Sequence, residues 1–254
     1  MKLNQNILQH YKGNEEFVKR IYDYLNYLER RNIEILTPFF TEEQAVIFKK
    51  IIGNQYLYIE DGGYENAQRV RFLLMPYESD IYDMKIKVLK AKISKQYSNI
   101  THSDILGAVL NLGIEREKIG DFVIKEDYIL MIVDETIATY IIANLNKIKR
   151  TNVQFVLYEG EIIQDIHIEY KTIIVSSMRL DVLVSHLACV SRAKAQAMIK
   201  AKFVKVNQIV LEEIAYLCDN EAVISIRGSG RFIIKEIIKK TKKDHFLIEI
   251  GKYC

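Results

Sequence analysis

Residues 83–158 constrain the fold of this chain more than any other part, because strand-forming and helix-forming runs follow one another there in a fixed order. Residues 84–93 are rich in the β-branched side chains that suit a pleated surface. Thr101-His102-Ser103-Asp104 then forms a helix start, with threonine as N-cap and an acid at the third position, and Gly113 is placed to close that helix. Residues 121–125 and 128–133 are two strands joined by the turn-like Glu126-Asp127, residues 135–147 a second helix, and residues 153–158 a last strand. Strands and helices mixed in this way place the chain in the α+β class.

The order β-α-β-β-α-β predicts a ferredoxin-like middle domain over residues 81–172, the arrangement that RNA-recognition motifs also use. Such motifs stack bases on aromatics carried by central strands. The run compared with that pattern, Gly120-Asp121-Phe122-Val123-Ile124, has one aromatic and an acid, so no stacking platform is evident. Residues 1–80 are expected to form a helical region with a hairpin. Phe17, Ile21, Tyr24, Leu25 and Leu28 fall on one helix face, and Thr41-Glu42-Glu43-Gln44 is a capping box. Gly53 is expected to end that helix in a left-handed conformation. Residues 56–60 and 70–75 are strands on either side of Asp61-Gly62-Gly63.

Membrane and secreted classes are disfavoured. No apolar run is long enough to span a bilayer, and the first residues lack the pattern of a secretory signal. Three cysteines, Cys189, Cys218 and Cys254, are too few and too scattered for a disulfide framework or a zinc site, which points to a reducing, cytoplasmic setting with no metal and no cofactor. The net charge of +3 hides an asymmetry: residues 176–254 hold 14 Lys and Arg against 8 Asp and Glu, whereas residues 1–175 are mildly acidic. A basic tail on an acidic body is the footprint of a module that binds a polyanion.

That tail domain, residues 173–254, is the most specific part of the sequence. Leu180, Leu183, Val184 and Leu187 form an apolar helical stripe, and Ser191 is a good N-cap for a second helix. Arg192, Gln196 and Lys200 recur every fourth residue along that helix and so share a face. Lys202 and Lys205 continue the charge onto the next strand, and Arg227 can join from a later one. Together with Arg179, Ser191, Lys194 and Asn207, these are the expected RNA-binding residues, a phosphate clamp assisted by a helix N-terminus.

Arg179-Leu180-Asp181, Ser191-Arg192, Ala195, Ile199-Lys200-Ala201 and Val204-Lys205-Val206-Asn207 resemble the S-four-type RNA-binding domain, known from a small-subunit ribosomal protein. Lys202 and Gln208 stand where that family has turn glycines. Taken whole, the chain resembles the YlmH family of Firmicute RNA-binding proteins. The runs that carry this likeness are Asp61-Gly62-Gly63-Tyr64-Glu65-Asn66-Ala67-Gln68-Arg69, Thr101-His102-Ser103-Asp104-Ile105-Leu106-Gly107-Ala108, Gly113-Ile114-Glu115-Arg116-Glu117-Lys118-Ile119-Gly120-Asp121 and Arg227-Gly228-Ser229-Gly230-Arg231-Phe232. The resemblance implies binding to rRNA and tRNA on the large ribosomal subunit and a part in rescue of stalled nascent chains; a monomer is expected.

Two other classes compete. Arg179-Leu180-Asp181 is similar to the run around the catalytic aspartate of pseudouridine synthases, which would make the protein an RNA-modifying enzyme. Its place at the start of a helix favours a simpler use, an acid at the positive end of the helix dipole. His102-Ser103-Asp104 has the side-chain types of a nucleophilic triad, but neighbours on one helix start cannot converge, and capping explains the run. A protein-partner adaptor, recruiting through the acidic body, is the third class; no enzyme is the expectation.

Overall fold

A computed structural model describes residues 5–93, 100–162, 168–241 and 244–253. The chain divides into two compact units, residues 1–164 and 165–254.

The first unit opens with α1 (Gln5–His10) and α2 (Glu15–Arg31). The apolar face of α2 is buried at Phe17, Val18, Ile21, Tyr22, Leu25 and Leu28, and Asn32 ends the helix in the left-handed region. After β1 (Ile35–Leu36) comes α3 (Glu42–Ile52), started by the expected capping box. Gln44 N–H donates to the Thr41 hydroxyl (3.2 Å), and Thr41 N–H donates to the Gln44 side chain (2.9 Å). Gly53 follows at φ 54° and ψ −139°. Its φ is positive as expected, but its ψ lies outside the left-handed helical region, in a combination that a Cβ would strain. Strands β2 (Leu57–Asp61) and β3 (Arg71–Met75) complete an antiparallel sheet in the order β1-β3-β2. Phe17, Phe40, Phe48 and Phe72 pack between it and the helices.

The same unit continues with β4 (Ile86–Lys92), α4 (His102–Leu110), β5 (Ile119–Ile124), β6 (Tyr128–Asp134) and α5 (Glu135–Asn144). A short hairpin of β7 (Lys147–Ile148) and β8 (Thr151–Asn152) precedes β9 (Phe155–Leu157). The antiparallel sheet runs β5-β6-β4-β9. Leu89, Ile105, Met131, Ile141 and Phe155 pack α4 and α5 onto one face. This order corrects one expectation: residues 120–124 lie on the edge strand β5, and the central strands are β6 and β4. Sequence order does not reveal which strand the fold places centrally.

On the other face, Val123, Leu130 and Ile132 are buried together with Phe39 from the N-terminal region. Two arginines fasten the same seam. Arg69 donates from Nε to the Ile119 carbonyl (2.9 Å) and from Nη2 to the Phe39 carbonyl (2.8 Å). Arg71 donates from Nε to the Thr37 carbonyl (3.0 Å) and from Nη1 to the Asp134 carboxylate (2.9 Å). Buried charges are tolerated when their hydrogen bonds are met in this way. A Cβ on Gly62 would sit 2.2 Å from the Ala67 Cβ and 2.7 Å from the Arg69 carbonyl oxygen. Gly62→Ala should therefore lower the unfolding free energy by about 1–3 kcal/mol in urea titration, as forced overpacking does.

The second unit begins with β10 (Ile168–Val175), then α6 (Leu180–Leu187) and α7 (Arg192–Lys200). Strands β11 (Val204–Val206), β12 (Ile209–Val210), β13 (Val223–Ile226), β14 (Gly230–Lys240) and β15 (Phe246–Tyr253) follow. They form one antiparallel sheet, β10-β15-β14-β13-β11-β12. The boundary expected at residues 172/173 falls inside β10, whose residues pair with β15 from Ile168 opposite Tyr253 to Val175 opposite Phe246. As an edge strand with mostly exposed side chains, β10 lacks the alternation that announces a strand. Leu183, Val184, Ala195 and Ile199 seat the two helices on Ile224, Ile234, Ile248 and Ile250.

Candidate nucleic-acid interface

The expected RNA-binding residues all lie in the second unit, and a buried acid organises three of them. Asp181, in the first turn of α6, is fully buried. Its carboxylate accepts from Arg179 Nε (3.1 Å) and Nη2 (3.3 Å), from Arg192 Nε (2.8 Å), from Gln196 Nε2 (2.9 Å) and from the Val182 N–H (3.0 Å). Burial alone would raise the Asp181 pKa; hydrogen bonds from Arg179, Gln196 and Arg192 outweigh it and hold the carboxyl well below the usual range. The two arginine side chains remain 36% and 54% exposed, so each keeps a free edge while its orientation is fixed from below.

Dipole stabilisation, the use expected of Asp181, is the smaller part of its role. A signal was present in the sequence: an acid set directly beside Leu180, Leu183 and Val184, with arginine and glutamine following on the next helix. Distance along the chain concealed the convergence.

Two expected site residues serve the fold. The Ser191 hydroxyl caps α7 by accepting from the Lys194 N–H (3.3 Å). Asn207 Oδ1 accepts from the Val223 N–H (2.8 Å), and Asn207 and Gln208 have φ of 48° and 69° in the two-residue turn between β11 and β12. Two consecutive positive φ values make this the primed turn that suits tight hairpins. Lys194 and Lys200 are exposed on α7. Lys205 is half-buried on β11, and Arg227 lies 5.0 Å from the centroid of the Phe203 ring. That stacking holds Arg227 beside the strand that follows α7, while its backbone N–H donates to the Phe203 carbonyl (2.9 Å).

Lys202 has φ 62° and its ammonium is 3.1 Å from the Glu212 carboxylate, with both side chains more than 60% exposed. Left-handed geometry is thus retained at both positions where glycine was the family expectation. Lys202→Gly should relieve the Cβ strain and raise unfolding stability by about 0.5–1 kcal/mol, read from the denaturant midpoint.

Among the described residues no cluster of three or more His, Cys, Asp or Glu could hold a metal ion, and no helix is long and apolar enough to cross a membrane.

Comparison with known proteins agrees with this layout. Residues 79–161 match the family described as “Putative RNA-binding domain in YlmH”, and residues 178–224 match the S4 domain. The “Ribosome-associated protein quality control protein P2” of Bacillus subtilis is 28% identical over 248 residues, covering 95% of this chain and 96% of the relative. A solved structure, “Cell division protein ylmH from Streptococcus pneumoniae”, superposes with a TM-score of 0.50 at 23% identity, covering 62% of this chain and 94% of that one. A YlmH-type RNA-binding domain followed by an S4 domain, in a chain that aligns with its relative almost end to end, makes this protein similar to the YlmH family of RNA-binding proteins over nearly its whole length.

Proposed function

We propose that the protein is a non-catalytic, cytoplasmic RNA-binding factor. It docks as a monomer on the large ribosomal subunit and serves the quality control of stalled nascent chains. The Bacillus subtilis relative, named for ribosome-associated quality control, supports the setting. The α6–α7 face supports the mode of binding, and one observation carries it: Asp181 aims Arg179, Arg192 and Gln196 outward beside the exposed Lys194 and Lys200. Lys202, Lys205 and Arg227 extend this basic face, with Ser191 and Asn207 holding its helix start and its turn. Folded rRNA and a tRNA stem are the proposed ligands, since guanidinium and ammonium groups on a rigid scaffold suit a phosphate backbone.

The other parts would set orientation. The strand order β5-β6-β4-β9, with α4 and α5 on one face, supports a ferredoxin-like, RRM-like middle domain after an N-terminal region of about eighty residues. Phe39 covers part of its opposite face, which argues against base stacking there. An enzyme built on Arg179-Leu180-Asp181 is disfavoured because Asp181 is fully buried and already accepts from four residues.

Sedimentation of the full chain with ribosomal subunits over a salt series tests the proposal. Pelleting with the large subunit, with a log–log salt slope of about −3 to −4 for roughly five phosphate contacts, is the expected result. Absence of pelleting at low salt would overturn it.

A further inference from the structure

Within the first unit, where the N-terminal region meets the β5–β6 end of the middle sheet, a cleft of about 460 Å³ opens between the start of α3 and the start of α4. That volume lies in the range of small-ligand sites. Arg69, Arg116, His102, Gln68, Glu42 and Asp121 contribute to its lining.

The two arginines are held by carbonyls rather than by carboxylates. Arg116 donates from Nη1 to the carbonyls of Ile119 (2.7 Å) and Gly120 (3.2 Å), and it has no ion pair among the described residues. Arg69 donates to the carbonyls of Ile119, Phe39 and Arg116. Burial first, and the charge of Arg116 second, lower the Arg69 pKa to about 10. Two guanidiniums thus repel each other across a half-buried cleft, a situation that an anion relieves.

Asp121 is the nearest internal compensation, but its Oδ2 already accepts from the Tyr64 hydroxyl (2.9 Å) and from the N–H groups of Gln68 (2.6 Å) and Arg69 (3.2 Å). Glu42 supplies a second carboxylate at the cleft. Formal charges are therefore even before a ligand enters, which suits the single charge of a phosphodiester better than a multiply charged pyrophosphate. Gln68 and His102 are exposed there and offer both donors and acceptors, as a nucleobase edge requires.

We propose that this cleft holds one unpaired nucleotide of a bound RNA, with its phosphodiester against Arg116 and its base beside Gln68 and His102. The site rests on the RNA-binding function proposed above and adds a second, single-strand contact to it. It also gives the N-terminal region a direct role, since Thr41, Glu42, Tyr64, Gln68 and Arg69 of that region line the cleft.

The test is an amide-resolved NMR titration of the full chain. Lys194→Glu/Lys200→Glu serves as the background, so that the α7 face does not contribute. The probes are a four-nucleotide single-stranded RNA, a nucleoside 5′-monophosphate and the unphosphorylated nucleoside. Shifts at Gln68, His102 and Arg116 with the tetranucleotide, and none with the nucleoside, are expected. Gln68→Glu, an exposed change that adds a carboxylate, and Arg116→Gln should each weaken tetranucleotide binding about tenfold. Equal shifts from the nucleoside, or unchanged affinity in folded Gln68→Glu, would overturn the proposal. Tighter binding of the monophosphate would overturn it in favour of a free nucleotide. Because ribosome sedimentation is a separate measurement, its failure beside intact cleft shifts would sink the docking proposal alone.

Discussion

Lys194→Glu/Lys200→Glu should release the protein from the large subunit, weakening association about a hundredfold at physiological salt while leaving the fold intact. Each lysine that meets a phosphate contributes about 0.7 of a unit to the salt slope, so replacing both by alanine should flatten it by about 1.4. Reversing the charge adds repulsion from the phosphates. Both ammonium groups are exposed, so their loss removes no packing. Arg192→Glu is a poorer choice, although its place on the helix first suggests it. Its guanidinium bonds the buried Asp181 carboxylate, and a glutamate there would set two acids against each other. Sedimentation that survives in the folded lysine double variant would remove α7 from the RNA face.

Asp181→Ala should cost about 2–4 kcal/mol of unfolding stability in the second unit, because one carboxylate satisfies Arg179, Arg192, Gln196 and the start of α6 together. Affinity for RNA should fall as well, through arginines that are present but no longer aimed. Asp181→Asn separates charge from shape. The folded-state pKa of Asp181 lies below its unfolded value, so its contribution is full above the unfolded pKa of about 3.9 and is lost as pH falls through the folded value. The stability gap between wild type and Asp181→Asn should therefore hold from pH 7 to about pH 4 and narrow below that. A gap that widens in acid would show that the carboxylate is not the stabilised form.

Local signals in the sequence were faithful where the chemistry is local. The capping boxes at Thr41 and Thr101 have both reciprocal bonds. On α2 Phe17, Ile21, Leu25 and Leu28 are buried as expected, but Tyr22 is buried where Tyr24, only half-buried, was expected. The apolar stripe of α6 is buried as its spacing predicts. The same holds for the exposed basic residues of α7. What escaped depends on contacts between distant segments. Edge strand β10 is mostly exposed and has no alternation to display, and the central place of β6 rather than β5 belongs to the order of strands in the folded sheet. Asp181, Arg69 and Arg71 are polar residues whose burial follows only from partners elsewhere in the chain. Asn207 matches the family motif, and its side chain also ties the β11–β12 turn to Val223 of β13, a contact that motif spacing alone does not reveal.

The pairing of β10 with β15 also sets a timetable for synthesis. These are the first and last strands of the second unit, and Ile248 and Ile250 of β15 belong to the core on which α6 and α7 are seated. A chain still under translation therefore carries the whole basic sequence of α7 before it has the platform that aims it. Closing a contact between the ends of a unit is also the slow kind of folding step. Newly made copies should gain affinity for RNA only once β15 has emerged and paired with β10, which completes the platform under α6 and α7.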